Sequence, residues 1–115
     1  MSQYHEPIEE LDAKTRDITR ALHSLKEEVE AADWYNQRVA ASGSEELKAI
    51  MAHNRDEEIE HAVMIIEWLR RNMGGWDEEL KKYLFKKTPI LELEEAADTE
   101  DAQAGESDLG IGHLK

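Results

Sequence analysis

EELKAIMAHNRDEEIEHAVMIIEWLRRN, residues 45–72, decides the fold of this chain. The run contains no Pro and no Gly, and Gly74-Gly75 closes it, which predicts one long helix. Its inner stripe reads Leu47, Ile50/Met51, Asn54, Glu58, His61, Ile65 and Trp68, apolar at both ends and ionisable in the middle. Upstream, Ile8, Leu11, Thr15, Ile18, Leu22, Leu25, Val29, Ala32 and Val39 follow steps of three and four, a coiled-coil-like seam that predicts a helix of about 35 residues opening at Pro7. Ala40-Ala41-Ser42-Gly43-Ser44 ends it, and Ser42 with Glu45 reads as a capping box for the next helix. Two long helices joined by so short a turn make an antiparallel hairpin. A third helix is expected over Trp76–Phe85, with Trp76, Leu80, Tyr83 and Leu84 on one side and Pro89 barring continuation. No segment alternates with period two, so the expected fold class is all-α.

Composition narrows what such a fold can do. The chain has 115 residues, 27 Asp and Glu against 14 Lys and Arg, a net charge of −13 and no Cys. Thiol nucleophiles, disulfides and Cys-ligated metals are excluded. The acidity argues against nucleic acid as a partner and suits cations. No stretch has the ~20 apolar residues of a membrane span, and the first residues lack the pattern of a signal peptide, so no membrane partner is expected. Residues 92–108 hold Glu92, Glu94, Glu95, Asp98, Glu100, Asp101, Glu106 and Asp108 without one Lys or Arg. The chain is therefore expected to divide into a helical domain over 1–91, an acidic disordered tether over 92–107 and a terminal peptide over 108–115.

The ionisable middle of the second stripe carries the chemistry. Burying a carboxylate costs several kcal/mol unless it is compensated. Here the neighbours Asp56, Glu57 and Glu60 add more negative charge. A divalent or trivalent metal resolves that conflict. Glu58 and His61, at i and i+3, project from one helix face, and Glu28 on the first helix lies beside seam residues Leu25 and Val29. Carboxylate-bridged di-iron bundles take one Glu from each of two helices and a Glu-x-x-His from each of two others. This hairpin offers half of that set, so two hairpins must pair into a four-helix bundle whose centre is completed across a two-fold interface. Oxygen-rich ligation with one imidazole per metal suits iron or manganese. A lone Glu-x-x-His on an acidic helix is also a common solvated pattern; its register with the apolar stripe and with Glu28 is what favours the centre.

Two further features stay open at the level of residues. Glu27, Glu30 and Trp34 follow one another at i, i+3 and i+7, either a solvated face or an outer site that takes Ca2+ or another divalent cation. Tyr35, one heptad from Glu28, is placed to hydrogen-bond that ligand. The last eight residues carry Leu109, Ile111 and Leu114 along with Gly110 and Gly112, which reads as a docking peptide on a leash or as an apolar loose end.

Taken together, Glu27-Glu28-Val29-Glu30-Ala31-Ala32-Asp33-Trp34-Tyr35, His53-Asn54-Arg55-Asp56-Glu57-Glu58-Ile59-Glu60-His61-Ala62, Glu67-Trp68-Leu69-Arg70-Arg71, Tyr83-Leu84-Phe85 and the terminal Leu-Gly-Ile-Gly run resemble the encapsulated ferritins, ferroxidases packaged inside encapsulin nanocompartments. The resemblance spans nearly the whole chain. It implies a ferritin-like bundle with Glu28, Glu58 and His61 as di-iron ligands donated by both chains. It also implies Glu27 and Glu30 as a metal-attracting site beside Trp34, and Tyr35 as a tyrosine supporting the ligands. It further implies a dimer assembling into a ring-shaped decamer, a cytoplasmic location inside the encapsulin shell, and docking to the shell protein through Leu109, Ile111 and Leu114. The implied reaction is oxidation of Fe(II) to Fe(III) with O2 for storage in the shell. Two other readings compete: a rubrerythrin- or hemerythrin-like di-iron protein, and a non-enzymatic helical dimer recruited by its C-terminal peptide. Hemerythrin-type sites want more His than the stripe contains, and a bare dimer leaves the Glu/His patch unexplained.

Overall fold

Asp12, rather than Pro7, starts the first long helix. In a computed structural model, which describes residues 4–107 and the side chains of residues 4–99, α1 spans Ala13–Ala41. The Asp12 carboxylate accepts from the Thr15 N–H at 2.7 Å. That bond satisfies one of the amides a helix leaves orphaned at its start. Residues Ile8–Glu10 form a separate 3-10 turn, tied back by Arg16 Nη2 donating to the Ile8 carbonyl at 2.5 Å. The single 35-residue helix is thus corrected to a turn followed by a 29-residue helix.

The turn into α2 (Glu45–Asn72) corrects a second detail. Ser42 closes α1, its N–H bonding the Arg38 carbonyl at 2.9 Å, while its Oγ accepts from the Ser44 N–H at 3.2 Å. Ser44 is the residue that opens α2: its Oγ accepts from Leu47 N–H at 3.2 Å and its carbonyl from Lys48 N–H at 2.9 Å. The expected cap, Ser42, lies too far from the first turn, and Ser44, directly before the helix, has the reach.

The two helices pack antiparallel, as cross-helix pairs such as Asn36 with Arg55 and Glu28 with His61 require. Along α1 the half-buried positions include Ile18, Leu25, Ala32 and Val39, interleaved with Ala21, Glu28 and Tyr35. Thr15, Leu22 and Val29, which the seam was expected to include, are exposed, Val29 by 57%. Neighbouring residues on a helix point about 100° apart, so the row 15, 22, 29 lies on the flank of the seam. Glu28 and Tyr35 stand within the seam. On α2 the seam passes through Met51, Arg55, Glu58, Ala62, Ile65 and Leu69, while Leu47 and Trp68 lie exposed on the flank. Among the described residues only Ala62 and Leu69 are buried, Leu69 completely. Near the end of α2 Glu67 is held by two arginines: Arg70 Nε and Nη2 donate at 2.7 Å, and Arg71 Nε at 2.6 Å.

The chain separates into two compact units after Asn72 rather than after residue 91. Gly75, at a φ of 100° that disfavours any side chain, ends the linking turn and begins α3, Trp76–Tyr83. The Trp76 indole donates to Met73 Sδ at 3.3 Å. The segment expected to be a disordered tether is helical: α4 spans Ile90–Ser107 and packs on α3. Pro89 supplies the carbonyl that accepts from Glu92 and Leu93 N–H at 3.0 and 3.2 Å. The reason is propensity. Leu, Glu and Ala are strong helix formers, and Glu92 in the first turn faces the positive end of the helix dipole. An acidic composition signals a lack of core, which is a different property from a lack of helix. Among the described residues no helix is long and apolar enough to cross a membrane. The expected docking peptide, with Leu109, Ile111 and Leu114, lies outside the described residues.

Candidate metal centre

Glu28 reaches the centre from α1, and Glu58 and His61 reach it from α2, where their three-residue spacing puts both on the face toward α1. His61 Nδ1 lies 3.5 Å from Glu28 Oε2 and 3.6 Å from Glu58 Oε2, so one nitrogen faces two carboxylates. One ligand atom from each of the three residues fits within 4.8 Å of the others, a spacing that can hold a metal ion. Both carboxylate side chains are 24% exposed and the imidazole 40%. The cluster therefore opens to one side of the hairpin.

The electrostatics are those of a site short of positive charge. Glu28 Oε2 is buried with no hydrogen-bond donor. Its carboxyl is held above the usual glutamate value, first by a hydrogen bond to Glu58 that exists only while one of the pair keeps a proton. Burial and the charge of Glu58 push the same way, and His61 works against them. A buried acceptor without a donor is unstable by about 1–3 kcal/mol. A cation bound by the two oxygens and the imidazole would neutralise it, and this donor set fits Fe(II) or Mn(II).

The other expected residues are placed differently. Glu27 and Glu30 are both exposed on α1, and they do not appear in any three-ligand cluster among the described residues. Trp34 is also exposed and borders a shallow cleft with Gln37, Arg38 and Ala41. Tyr35 is half-buried in the seam, and the Arg38 guanidinium lies 5.2 Å from its ring centre, a cation–π distance. The sequence reading missed a second group, Glu57, Glu60 and His61, on the solvent side of α2. His61 Nε2 is 3.7 Å from Glu57 Oε2, and His53 Nε2 is 3.5 Å from Glu57 Oε1. The signal was present as His53, Glu57 and His61 at successive steps of four. His61 thus turns one nitrogen inward and the other outward.

An antiparallel helical hairpin that brings two carboxylates and one imidazole to a point in its seam, with no strand among the described residues, defines a protein of the ferritin-like class. The chain belongs to the EncFtn-like family, which matches residues 3–87. It is 56% identical to a ferritin-like protein of Thermotoga maritima, with 97% of each chain covered. It is 52% identical to an encapsulated ferritin-like protein of Rhodospirillum rubrum, covering 96% of this chain and 86% of that one. The crystal structure of protein ne0167 from Nitrosomonas europaea superposes with a TM-score of 0.74 at 58% identity, over 77% of this chain and 98% of that one. Membership gives the chain a ferritin-like, iron-related role.

Proposed function

We propose that the protein is a ferroxidase that oxidises Fe(II) at a di-iron centre shared by two copies of the chain. The observation that carries the reading is the convergence of Glu28, Glu58 and His61 around the donorless Glu28 Oε2. One hairpin supplies two carboxylates and one imidazole, half of a dinuclear ligand set, so a second copy related by a two-fold axis completes it. Fe(II) is the substrate. Each ion gives up one electron, O2 or peroxide accepts the electrons, and Fe(III) leaves for storage. The residues bind the ions, hold them together and offset their charge.

The encapsulated ferritin-like relative supports the rest of the reading. The chain is packaged in an encapsulin shell, residues 108–115 being its docking peptide through Leu109, Ile111 and Leu114, and the shell holds the oxidised iron. Glu27 and Glu30, exposed beside Trp34, attract divalent cations to the surface. Tyr35 steadies the seam next to Glu28, and paired hairpins assemble further into a ring-shaped decamer.

Anaerobic addition of Fe(II) followed by air tests the activity. Fe(III) absorbance rising faster than in protein-free buffer, with on the order of one bound iron per chain, is the expected result. Oxidation at the protein-free rate without stoichiometric binding refutes the enzyme and leaves a non-enzymatic helical dimer.

A further inference from the structure

Arg55 is a cation in the seam beside a site that lacks one. Its side chain is 29% exposed, and it stands three residues before Glu58, on the same face of α2. Further along α2 a pair closes at that same separation, with Arg70 Nε 2.7 Å from Glu67. At the centre no such pair forms. Among the described residues Glu28 and Glu58 have only His61 as an ion-pair partner, and Glu28 Oε2 has no donor.

The Arg55 guanidinium is engaged elsewhere. Nη1 donates to Asn36 Oδ1 on α1 at 3.0 Å, and Nε donates to Asp56 Oδ1 at 3.1 Å. The Asp56 side chain is mostly exposed, and an ion pair so open to water contributes little. The bond to Asn36 crosses from one helix to the other and fixes where the guanidinium points. The choice matters for the centre. A guanidinium turned onto Glu58 would supply the missing positive charge from within the chain, through N–H groups whose fork suits a carboxylate. An incoming cation would then have to displace it and would bind more weakly. Held by a neutral amide, Arg55 leaves both carboxylates unneutralised, and the deficit of charge remains for a metal to fill.

We propose that Asn36 is a positioning residue of the metal centre: its amide holds the Arg55 guanidinium away from Glu58 and so keeps Glu28 and Glu58 open to cations. This role rests on Glu28, Glu58 and His61 being metal ligands, and it adds to them a residue that touches no metal.

Binding of Mn(II) to the full chain, followed by loss of the free-ion electron paramagnetic resonance signal, tests the role without any turnover. N36A should raise the Mn(II) concentration at half-saturation about three- to tenfold, the weight of one typical net hydrogen bond. R55M keeps an apolar stem in the seam and removes the charge, so it should bind Mn(II) at least as tightly as wild type. N36A with R55M should return the midpoint to the wild-type value or below it. A bond that served only to fix the two helices would give the opposite pattern: R55M would weaken binding as N36A does, and the double variant would stay weak. Either result overturns the proposal, and so does an unchanged midpoint in N36A. If N36A loses its helicity, the midpoint of R55M decides alone. Wild type that takes up no Mn(II) overturns the metal centre and the proposal together, whereas normal uptake by wild type with any of the other failures removes only the role of Asn36.

Discussion

Replacing Glu28 by Gln should make the metal-free protein more stable and its metal-binding poorer. The ligand oxygens of Glu28 and Glu58 lie within 4.8 Å of each other. At that distance two full charges repel by about 1 kcal/mol in water and about 3 kcal/mol at the effective dielectric of a protein surface. With side chains 24% exposed, the site lies between those limits. E28Q keeps the shape, removes one charge and supplies an N–H donor to Glu58. In chelator at pH 8 it should therefore gain about 1–3 kcal/mol, a rise of several degrees in thermal midpoint. The sign with pH follows from Glu28, whose carboxyl is held above its ordinary 4.5 in the fold. Its penalty is absent below pH 4.5, develops as pH climbs through the folded value and persists above it, so the E28Q advantage should vanish in acid. Circular-dichroism melts at fixed protein concentration at pH 4 and pH 8, with and without Mn(II), measure all of this. E28Q melting at or below wild type in chelator at pH 8, or gaining as much from Mn(II) as wild type does, would refute the reasoning.

Other expectations are simpler. Glu58→Ala and His61→Ala should each reduce Fe(II) oxidation to the protein-free rate while leaving helicity intact, and oxidation at the wild-type rate in both would remove these residues from the site. Arg70, then Arg71, hold the Glu67 carboxyl down at about 2; its contribution to stability is present above pH 4.5 and lost as pH falls toward 2. Carboxyl NMR shifts should place that titration, and a midpoint near 4.5 would contradict the clamp. Ser44→Ala should cost about 1 kcal/mol through loss of the α2 cap, measured by denaturant melts against Ser42→Ala, which should cost less. Leu69→Ala, at the one fully buried side chain described, should cost about 2–5 kcal/mol; a smaller loss would mean that the seam collapses around the gap.

Much of this was legible before any coordinates, and the misses share causes. The hairpin, its turn and the meeting of Glu28 with Glu58 and His61 follow from spacing, because i, i+3 and i+7 offsets fix which side chains share a face. What spacing leaves undetermined is which of two parallel apolar rows faces the chain's own second helix. Residues 18, 25, 32 and 39 form one such row and 15, 22 and 29 another, roughly 50° around the helix and equally regular. The expected seam mixed them. The α4 helix was missed because composition was taken as a measure of order, whereas Leu91, Leu93, Ala96 and Ala97 among the glutamates favour a helix. The outward group of Glu57, Glu60 and His61 was hidden for the opposite reason: on a helix so rich in acid, only the second nitrogen of His61 marks those carboxylates out.

A hairpin with one fully buried side chain would, on the proposed pairing, have dilution as its natural denaturant. If two hairpins pair as proposed, much of the apolar area that offsets the entropy of ordering two long helices would come from the partner copy. A newly made chain below its association threshold would then be a better substrate for proteases than one above it. On that proposal chain abundance would regulate itself, because surplus protomers that find no mate would be cleared. Fusions or truncations that slow pairing should shorten the lifetime of the protein in cells without touching a single ligand.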